Sequence, residues 1–162
     1  MQNSSIPNKR ISAGILLYRK KNGILEILIV HPGGPFYKNK DEGHWSIPKG
    51  EPDDTEDLLL TAKREFEEET GFKPEGNFIE LGSITQKGGK EVFAWAVEGD
   101  LPSEHIHISN MFETEWPPRS GKKMSFPEVD KIEFCDVITA KQKIKEAQIP
   151  LIERLEKYLE EN

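Results

Sequence analysis

The chain has 162 residues, of which 35% are hydrophobic and 31% are charged, as is normal for a soluble globular protein. Its net charge of −7, from 22 basic and 29 acidic residues, disfavours non-specific binding to nucleic acid or anionic lipid, since both select basic surfaces. The single cysteine excludes an internal disulfide, the N-terminal segment lacks the apolar core of a signal peptide, and no apolar run approaches the ~20 residues that span a bilayer. We therefore expect a cytoplasmic protein that does not enter membranes.

The first apolar segments predict a β-hairpin after a flexible tail at residues 1–9. The segments ISAGILLYR and ILEILIVH are rich in β-branched residues and are separated by KKNG, in which Asn22 and Gly23 suit a tight turn. A long loop, PGGPFYKNKDEGH, and a short apolar segment, WSIP, follow.

A helix is predicted from about residue 54 to residue 69. Asp53, Asp54 and Thr55 are candidate N-caps, and Gly71 suits the left-handed residue that ends a helix. After the helix, NFIELGSITQ and EVFAWAVEG predict two strands joined by a KGGK turn.

The C-terminal half is less regular. Residues 100–128 predict a long functional loop with one short strand at residues 105–108, and KIEFCDV predicts a further strand. ITAKQKIKEAQ and PLIERLEKYLEE predict a pair of helices broken near Pro150. Strands interleaved with helices indicate one domain over residues 1–162, an α/β (α+β) sandwich with a mixed sheet between helical layers.

Three glutamates on the predicted helix are unfavourably placed for helix stability. At about 100° per residue, Glu65, Glu68 and Glu69 fall within an arc of roughly 100°, whereas Glu67 points away. Like charges at these spacings, near the negative end of the helix dipole, each cost a few tenths of a kcal/mol or more. Either a hard cation such as Mg²⁺ compensates them, or they form a solvated acidic helix end.

The residues around these glutamates match a known motif. Residues 50–72 read GEPDDTEDLLLTAKREFEEETGF, and every defined position of the Nudix signature is filled. The order of the flanking strands and helices is also similar to that family. The resemblance implies a Nudix-type α/β/α sandwich with a central mixed β-sheet, and a hydrolase that cleaves a diphosphate linkage with Mg²⁺ or Mn²⁺.

The resemblance also implies roles for individual residues. Glu65, Glu68 and Glu69 match the carboxylates that coordinate the metal ion, and Glu65 also matches a general base. Lys49 stands where family members often offer a backbone carbonyl to the metal.

The remaining matched residues support the site. Arg64 belongs to the predicted catalytic group with the three glutamates, but its expected role, like that of Glu56, is to brace the loop and the helix. Gly50 is expected to let the backbone turn tightly around the metal.

Outside the motif the chain offers charged candidates with two interpretations each. Arg119, Lys122 and Lys123 lie in WPPRSGKKMSF and would either clamp substrate phosphates or remain solvated loop charges. Glu128, in FPEVD, would be an additional metal ligand or the general base, or else a surface carboxylate at the start of a strand.

Histidines and aromatic residues are weaker candidates. His105 and His107 alternate as in a strand and would bind zinc only with further ligands, so an edge strand is the better interpretation. Trp45, Phe93 and Trp95 would stack a nucleobase or belong to the core. The pair Gly33-Gly34 would approach phosphates or form a plain turn.

The sequence favours a small-molecule nucleotide as the substrate. HPGGPF, GHWSIPKGE, EWPPRSGK and FPEVD resemble a bacterial branch described as predicted nucleoside triphosphate pyrophosphohydrolases. We expect hydrolysis of nucleoside triphosphates or dinucleoside polyphosphates. The alternatives are a pyrophosphohydrolase of RNA 5′ ends, which the acidic balance disfavours, and a nucleotide sensor without catalysis, which all the retained carboxylates disfavour.

Overall fold

The computed structural model describes residues 10–102, 105 and 109–162. The predicted tail at residues 1–9 lies outside the described residues, as does the predicted strand at residues 105–108 except for His105. Within the described chain, no helix is both long and apolar enough to cross a membrane.

A mixed six-stranded sheet forms the centre of the fold. Its strands are β1 (Ile11–Lys21), β2 (Ile24–Pro32), β3 (Lys49–Gly50), β4 (Ile79–Thr85), β5 (Glu91–Glu98) and β8 (Val129–Asp136). The order is β4-β5-β1-β2-β8, with β3 paired to β1, and β1 runs parallel to β5 whereas the other pairings are antiparallel. The predicted β-hairpin, mixed sheet and following strands are therefore confirmed.

Helices cover both faces of this sheet. Helix α1 (Leu58–Thr70) packs Ala62 and Phe66 on the face that carries Ile15 and Leu17 of β1. Helices α2 (Val137–Lys143) and α3 (Ile149–Glu161) lie with Leu16 on the opposite face. The alternation of side chains along β1 thus divides the apolar residues between two cores, as the predicted α/β/α sandwich requires.

The start of α1 differs from the prediction. Asp57, and not Asp53, Asp54 or Thr55, is the N-cap, and its carboxylate accepts a hydrogen bond from the N–H of Leu60. Asp54 instead has a positive φ of 34° in the preceding loop. Several consecutive polar residues satisfy the cap preference equally, so the tertiary course of the loop decides among them. Gly71 ends the helix at φ 77° as predicted.

The C-terminal half contains two further differences. The stretch 100–128, predicted to be mostly irregular, contains an antiparallel hairpin of β6 (Met111–Glu115) and β7 (Lys123–Pro127), which forms a sheet of its own. The break between the last two helices lies before Pro150, because α2 ends at Lys143 and a short 3₁₀ helix, Glu146–Gln148, precedes α3. Pro150 occupies the first turn of α3, where its missing N–H costs nothing.

Candidate active site

The segment before α1 is held close to the sheet. Gly14 of β1 faces this segment, and a Cβ there would lie 2.6 Å from the carbonyl oxygen of Pro48. A side chain at residue 14 would therefore push the segment outward. The close approach places Lys49 and Gly50 beside β1, at the C-terminal half of α1.

Gly50 makes room for a glutamate of the helix. A Cβ at this position would collide with the carboxylate of Glu65. Only the absence of a side chain at residue 50 therefore lets Glu65 lie against the backbone. The glycine thus leaves room for this carboxylate, and a side chain at residue 50 would displace the end of the Glu65 side chain.

Arg64 connects the loop before α1 to the acidic face of the helix. Its Nε and Nη2 donate to the two oxygens of Glu56 at 3.0 and 2.9 Å. Its Nη1 donates to Glu65 at 2.8 Å and to Glu68 at 3.2 Å. This geometry suits a bracing role, because a guanidinium that is paired with several carboxylates fixes their positions relative to one another. Glu56 also accepts a hydrogen bond from the hydroxyl of Thr61, with 2.8 Å between the two oxygens.

Four carboxylates near the C-terminal half of α1 form what we term the acidic cluster: Glu65, Glu68, Glu69 and Glu128. Burial raises the pKa of Glu65, with Glu68 adding to the shift and Arg64 opposing it. The pKa of Glu69 lies well above its usual range, mainly because the residue is buried and then because of Glu65. Burial, followed by Glu68, also raises the pKa of Glu128. The negative charges are thus only partly compensated.

Three lysines approach the same region from other segments, and we term Lys49, Lys90 and Lys145 the lysine cluster. Burial, followed by Lys145 and Lys90, lowers the pKa of Lys49 to about 8. Burial and then Lys90 lower the pKa of Lys145. Lys90 forms an ion pair with Glu51 at 3.1 Å. Within the described ranges, Lys49 and Lys145 have no ion-pair partner within 4.0 Å.

A small cleft lies between the two clusters. Glu69 and Glu128 line it together with Lys49 and Lys145, and its volume is about 120 Å³. His44 also contributes to the lining. Carboxylates and ammonium groups therefore face one cavity without pairing directly, an arrangement that suits a ligand containing both a cation and phosphate groups.

The donor set of the acidic cluster fits a hard divalent cation, because all four groups offer carboxylate oxygens. In the part of the chain that the structure describes, no three His, Cys, Asp or Glu side chains are already arranged as a metal-binding set. Arg64 holds two of the four carboxylates, Glu65 and Glu68. The pKa values of the other two, Glu69 and Glu128, and of Glu65 are raised mainly by burial and further by neighbouring carboxylates, and a bound cation would stabilise their charged forms.

Several residues singled out in the sequence lie away from the cleft lining. Arg119, Lys122 and Lys123 are exposed at the far end of the β6–β7 hairpin, and their clamp role stays a prediction. Trp45 belongs to the core, where it is 2% exposed, so its alternative role in base stacking is wrong. Phe93 and Trp95 are partly buried strand residues of β5.

The histidines and glycines of the other candidates have structural contacts. The Nε2 of His105 lies 2.7 Å from the carbonyl oxygen of Thr70 at the end of α1, whereas His107 lies outside the described residues. Gly33 packs so closely on β7 that a Cβ would collide with the carbonyl oxygen of Pro127. The Gly33-Gly34 pair therefore permits contact with the hairpin.

The lysine cluster went undetected in the sequence. Lys90 follows a turn between strands and Lys145 follows α2, so neither belongs to a motif around Lys49. Lys145 reaches the cleft because the backbone of residues 143–145 pairs with that of residues 43–45, including the bond from Lys145 N–H to the carbonyl of Trp45 at 2.9 Å. No local sequence pattern predicts such a contact.

The chain is similar in sequence to two rodent enzymes. An asymmetrical bis(5′-nucleosyl)-tetraphosphatase from Rattus norvegicus is 30% identical in an alignment 99 positions long, with 54% of this chain and 63% of the rat protein covered. The chain thus spans less than two thirds of that relative's length. The corresponding protein from Mus musculus is 29% identical in an alignment 110 positions long, with 60% of this chain and 71% of the mouse protein covered.

Solved structures share the fold. A C. elegans Ap4A hydrolase binary complex superposes with a TM-score of 0.68 at 22% identity, over 94% of this chain and 99% of that one. The NUDIX domain of Shewanella oneidensis NrtR, complexed with ADP ribose, also has a TM-score of 0.68, at 17% identity over 98% and 94% of the two chains. The family model for the NUDIX domain matches residues 8–155, and the protein therefore belongs to the Nudix family.

Proposed function

We propose that the protein hydrolyses a phosphoanhydride bond in a nucleoside polyphosphate, with dinucleoside polyphosphates as the leading substrates. The observation that carries this proposal is the cleft in which Glu69 and Glu128 face Lys49 and Lys145. The rodent relatives, whose names describe hydrolysis of a bis-nucleosyl tetraphosphate, support this substrate class.

A divalent cation, Mg²⁺ or Mn²⁺, fits this proposal. Glu65, Glu68 and Glu69 would hold it, with the backbone carbonyl of Lys49 as a further oxygen donor and Gly50 and Glu56 supporting the loop. When bound, such an ion neutralises phosphate charge and lowers the pKa of a coordinated water. Arg64 would keep two of the glutamates in position.

The lysines would bind the polyphosphate. Each ammonium offers three donors and a full positive charge, and Lys49 and Lys145 have no competing carboxylate partner among the described residues. Partial burial strengthens their interaction with an anion, because water screens it less. The lysine cluster would thus hold the substrate's phosphates against the acidic cluster.

Glu128 is our candidate for the general base. It lines the cleft but lies outside α1, so it is free of the contacts with Arg64 that hold Glu65 and Glu68. Its raised pKa makes it a better proton acceptor than an ordinary carboxylate. Water would give its proton to Glu128 as its oxygen bonds to phosphorus, and the bridging P–O bond would break with its electron pair leaving on the departing phosphate.

The test is a substrate panel of ATP, Ap4A, ADP-ribose and a nucleotide sugar, with Mg²⁺ or with EDTA, and with products resolved by chromatography. We expect Glu68→Gln to reduce turnover at least about 100-fold, since it removes a charged group placed for the transition state. The matched control is Glu67→Gln, which makes the same charge change on the exposed side of α1 and should keep wild-type turnover.

Two outcomes would redirect the proposal. If Glu68→Gln kept wild-type turnover, Glu68 would not belong to the catalytic site. Tight binding of a nucleotide by the wild-type protein without any product, in the presence of Mg²⁺, would replace hydrolysis by ligand sensing.

A further inference from the structure

A second concave surface lies between the β6–β7 hairpin and the loop after β2, and we term it the hairpin groove. It encloses about 640 Å³ and is lined on the hairpin side by Trp116, Met124 and Phe126, and on the loop side by Pro35, Lys38 and Asn39. This volume lies within the 300–1,000 Å³ typical of small-molecule sites. The cleft described above, at about 120 Å³, is too small to enclose a nucleoside as well as phosphates.

The β6–β7 hairpin contacts the loop after β2 at its base and again further along. Phe112 and Phe126 are cross-strand partners with ring centroids 6.1 Å apart, and Phe112 packs on Gly34, where a Cβ would lie 2.8 Å from the ring. Further along the hairpin, Trp116 meets Phe36 edge-to-face at 5.6 Å. Phe36 and Met124 remain 58% and 46% exposed.

The hairpin groove and the cleft are lined by consecutive residues of one segment. Pro127 lines the groove, and the next two residues, Glu128 and Val129, line the cleft. Glu128 is fixed at this junction, since its carbonyl accepts from Gly33 N–H at 2.9 Å and its N–H donates to the carbonyl of Asn110 at 2.8 Å. Asn110 N–H in turn donates to the carbonyl of Glu68 at 3.0 Å. A ligand with two connected parts can therefore occupy both spaces.

The lining chemistry favours a flat aromatic ligand over a protein. Aromatic rings stack on nucleobases irrespective of base identity, and the amide of Asn39 offers both a donor and an acceptor to a base edge. Lys38 and Asp130 add one positive and one negative charge to the same lining. A protein partner would need roughly 800 Å² of surface, and a groove bounded by one short hairpin and one loop is small for that purpose.

We infer that the hairpin groove binds the nucleobase of the substrate, stacked on Trp116, while its phosphates pass Pro127 into the cleft. The inference rests on the proposed nucleotide substrate and adds the subsite that recognises its base. It makes the β6–β7 hairpin a specificity element, and it explains why large apolar side chains remain exposed beside a polar cleft.

The experiment measures binding and turnover separately. ATP is titrated into the metal-free protein while tryptophan fluorescence is recorded, and the hydrolysis of ATP and Ap4A is compared with that of inorganic tripolyphosphate, which has no base. We expect ATP to quench the wild-type signal, and Trp116→Leu to lose this component. The KM of the variant for the nucleotides should rise about tenfold, with little change in kcat or in tripolyphosphate hydrolysis.

Two further variants provide a second test of the groove and a matched control. Met124→Ala removes a groove side chain and should raise the nucleotide KM in the same direction. Met111→Ala truncates an apolar side chain that is 56% exposed on the other face of the hairpin and should change nothing. Thermal melts identify any variant that fails to fold.

The outcomes separate the two proposals. Wild-type hydrolysis of nucleotides with an unchanged KM in Trp116→Leu and Met124→Ala would overturn the base subsite and leave the proposed function intact. An equal loss of tripolyphosphate and nucleotide hydrolysis in both groove variants would also overturn it, since the hairpin would then only support the cleft. Quenching by ATP without hydrolysis of any nucleotide would sustain the subsite and overturn the proposed function.

Discussion

The acidic and lysine clusters each supply two residues to one cleft, Glu69 and Glu128 against Lys49 and Lys145, but they are built in opposite ways. Three of the four carboxylates come from one turn of α1, whereas Lys49, Lys90 and Lys145 come from three separate segments. Both clusters hold charges that their surroundings disfavour, because burial and repulsion raise the pKa of Glu69 and lower that of Lys145. The cleft therefore suits a ligand that compensates charges of both signs, as a metal–polyphosphate complex would.

Glu128 is the member of the acidic cluster that lies outside α1, so a substitution there tests its role separately from that of the three helix glutamates. We expect Glu128→Gln to lower kcat by about 100-fold or more, the usual contribution of a general base, if Glu128 accepts the proton. The wild-type rate should rise with pH through the raised pKa of Glu128, because the carboxylate is active only when deprotonated. The Glu128→Gln variant should lose this rise of the rate with pH. A pH–rate profile in which the rise persists would show that another group is the general base.

The lysine cluster should affect substrate binding more than chemistry. Lys145→Met removes a charge from the cleft, and a hydrogen bond to a charged group contributes about 1.5–3 kcal/mol. We expect KM for a nucleoside polyphosphate to rise by roughly tenfold to a hundredfold, measured by steady-state kinetics. Lys157→Met makes the same change on the exposed surface of α3 and should leave KM unaltered; an equal effect of both variants would contradict the phosphate role.

The two clusters should also respond to pH in opposite directions. Under the proposed function Lys49 would bind phosphate only while protonated, and its pKa is lowered to about 8. Because kcat/KM reports the free enzyme, we expect it to fall as the pH rises through this value. Lys49→Arg stays charged over the whole range and should remove the fall. A fall that persists unchanged in this variant would have another cause.

The smallest expected effect separates the stability of α1 from the chemistry of its carboxylates. Asp57→Ala removes the N-cap hydrogen bond to Leu60 and should lower the free energy of unfolding by about 1 kcal/mol, measured by urea denaturation, with kcat nearly unchanged. Asp53→Ala, at a position that the sequence alone also offers as a cap, should cost less than about 0.5 kcal/mol. Equal losses would mean that Asp57 is not the effective cap.

Local patterns account for the elements that were predicted correctly. The β1–β2 hairpin follows from Asn22-Gly23 between two apolar segments, and the end of α1 follows from Gly71. The β6–β7 hairpin escaped prediction because its strands are short and mostly polar or exposed. Its aromatic residues pack on the loop after β2, so their partners are distant in sequence.

What the sequence determined by itself is the acidic face of α1. Helical geometry brings Glu65, Glu68 and Glu69 together whatever the rest of the chain does. Only the tertiary structure decided what faces them, because Lys145 approaches Lys49 through backbone pairing between segments about 100 residues apart in sequence. Spacing along one helix is a local property, whereas the approach of two partly buried charges depends on the packing of the whole sheet and its helices.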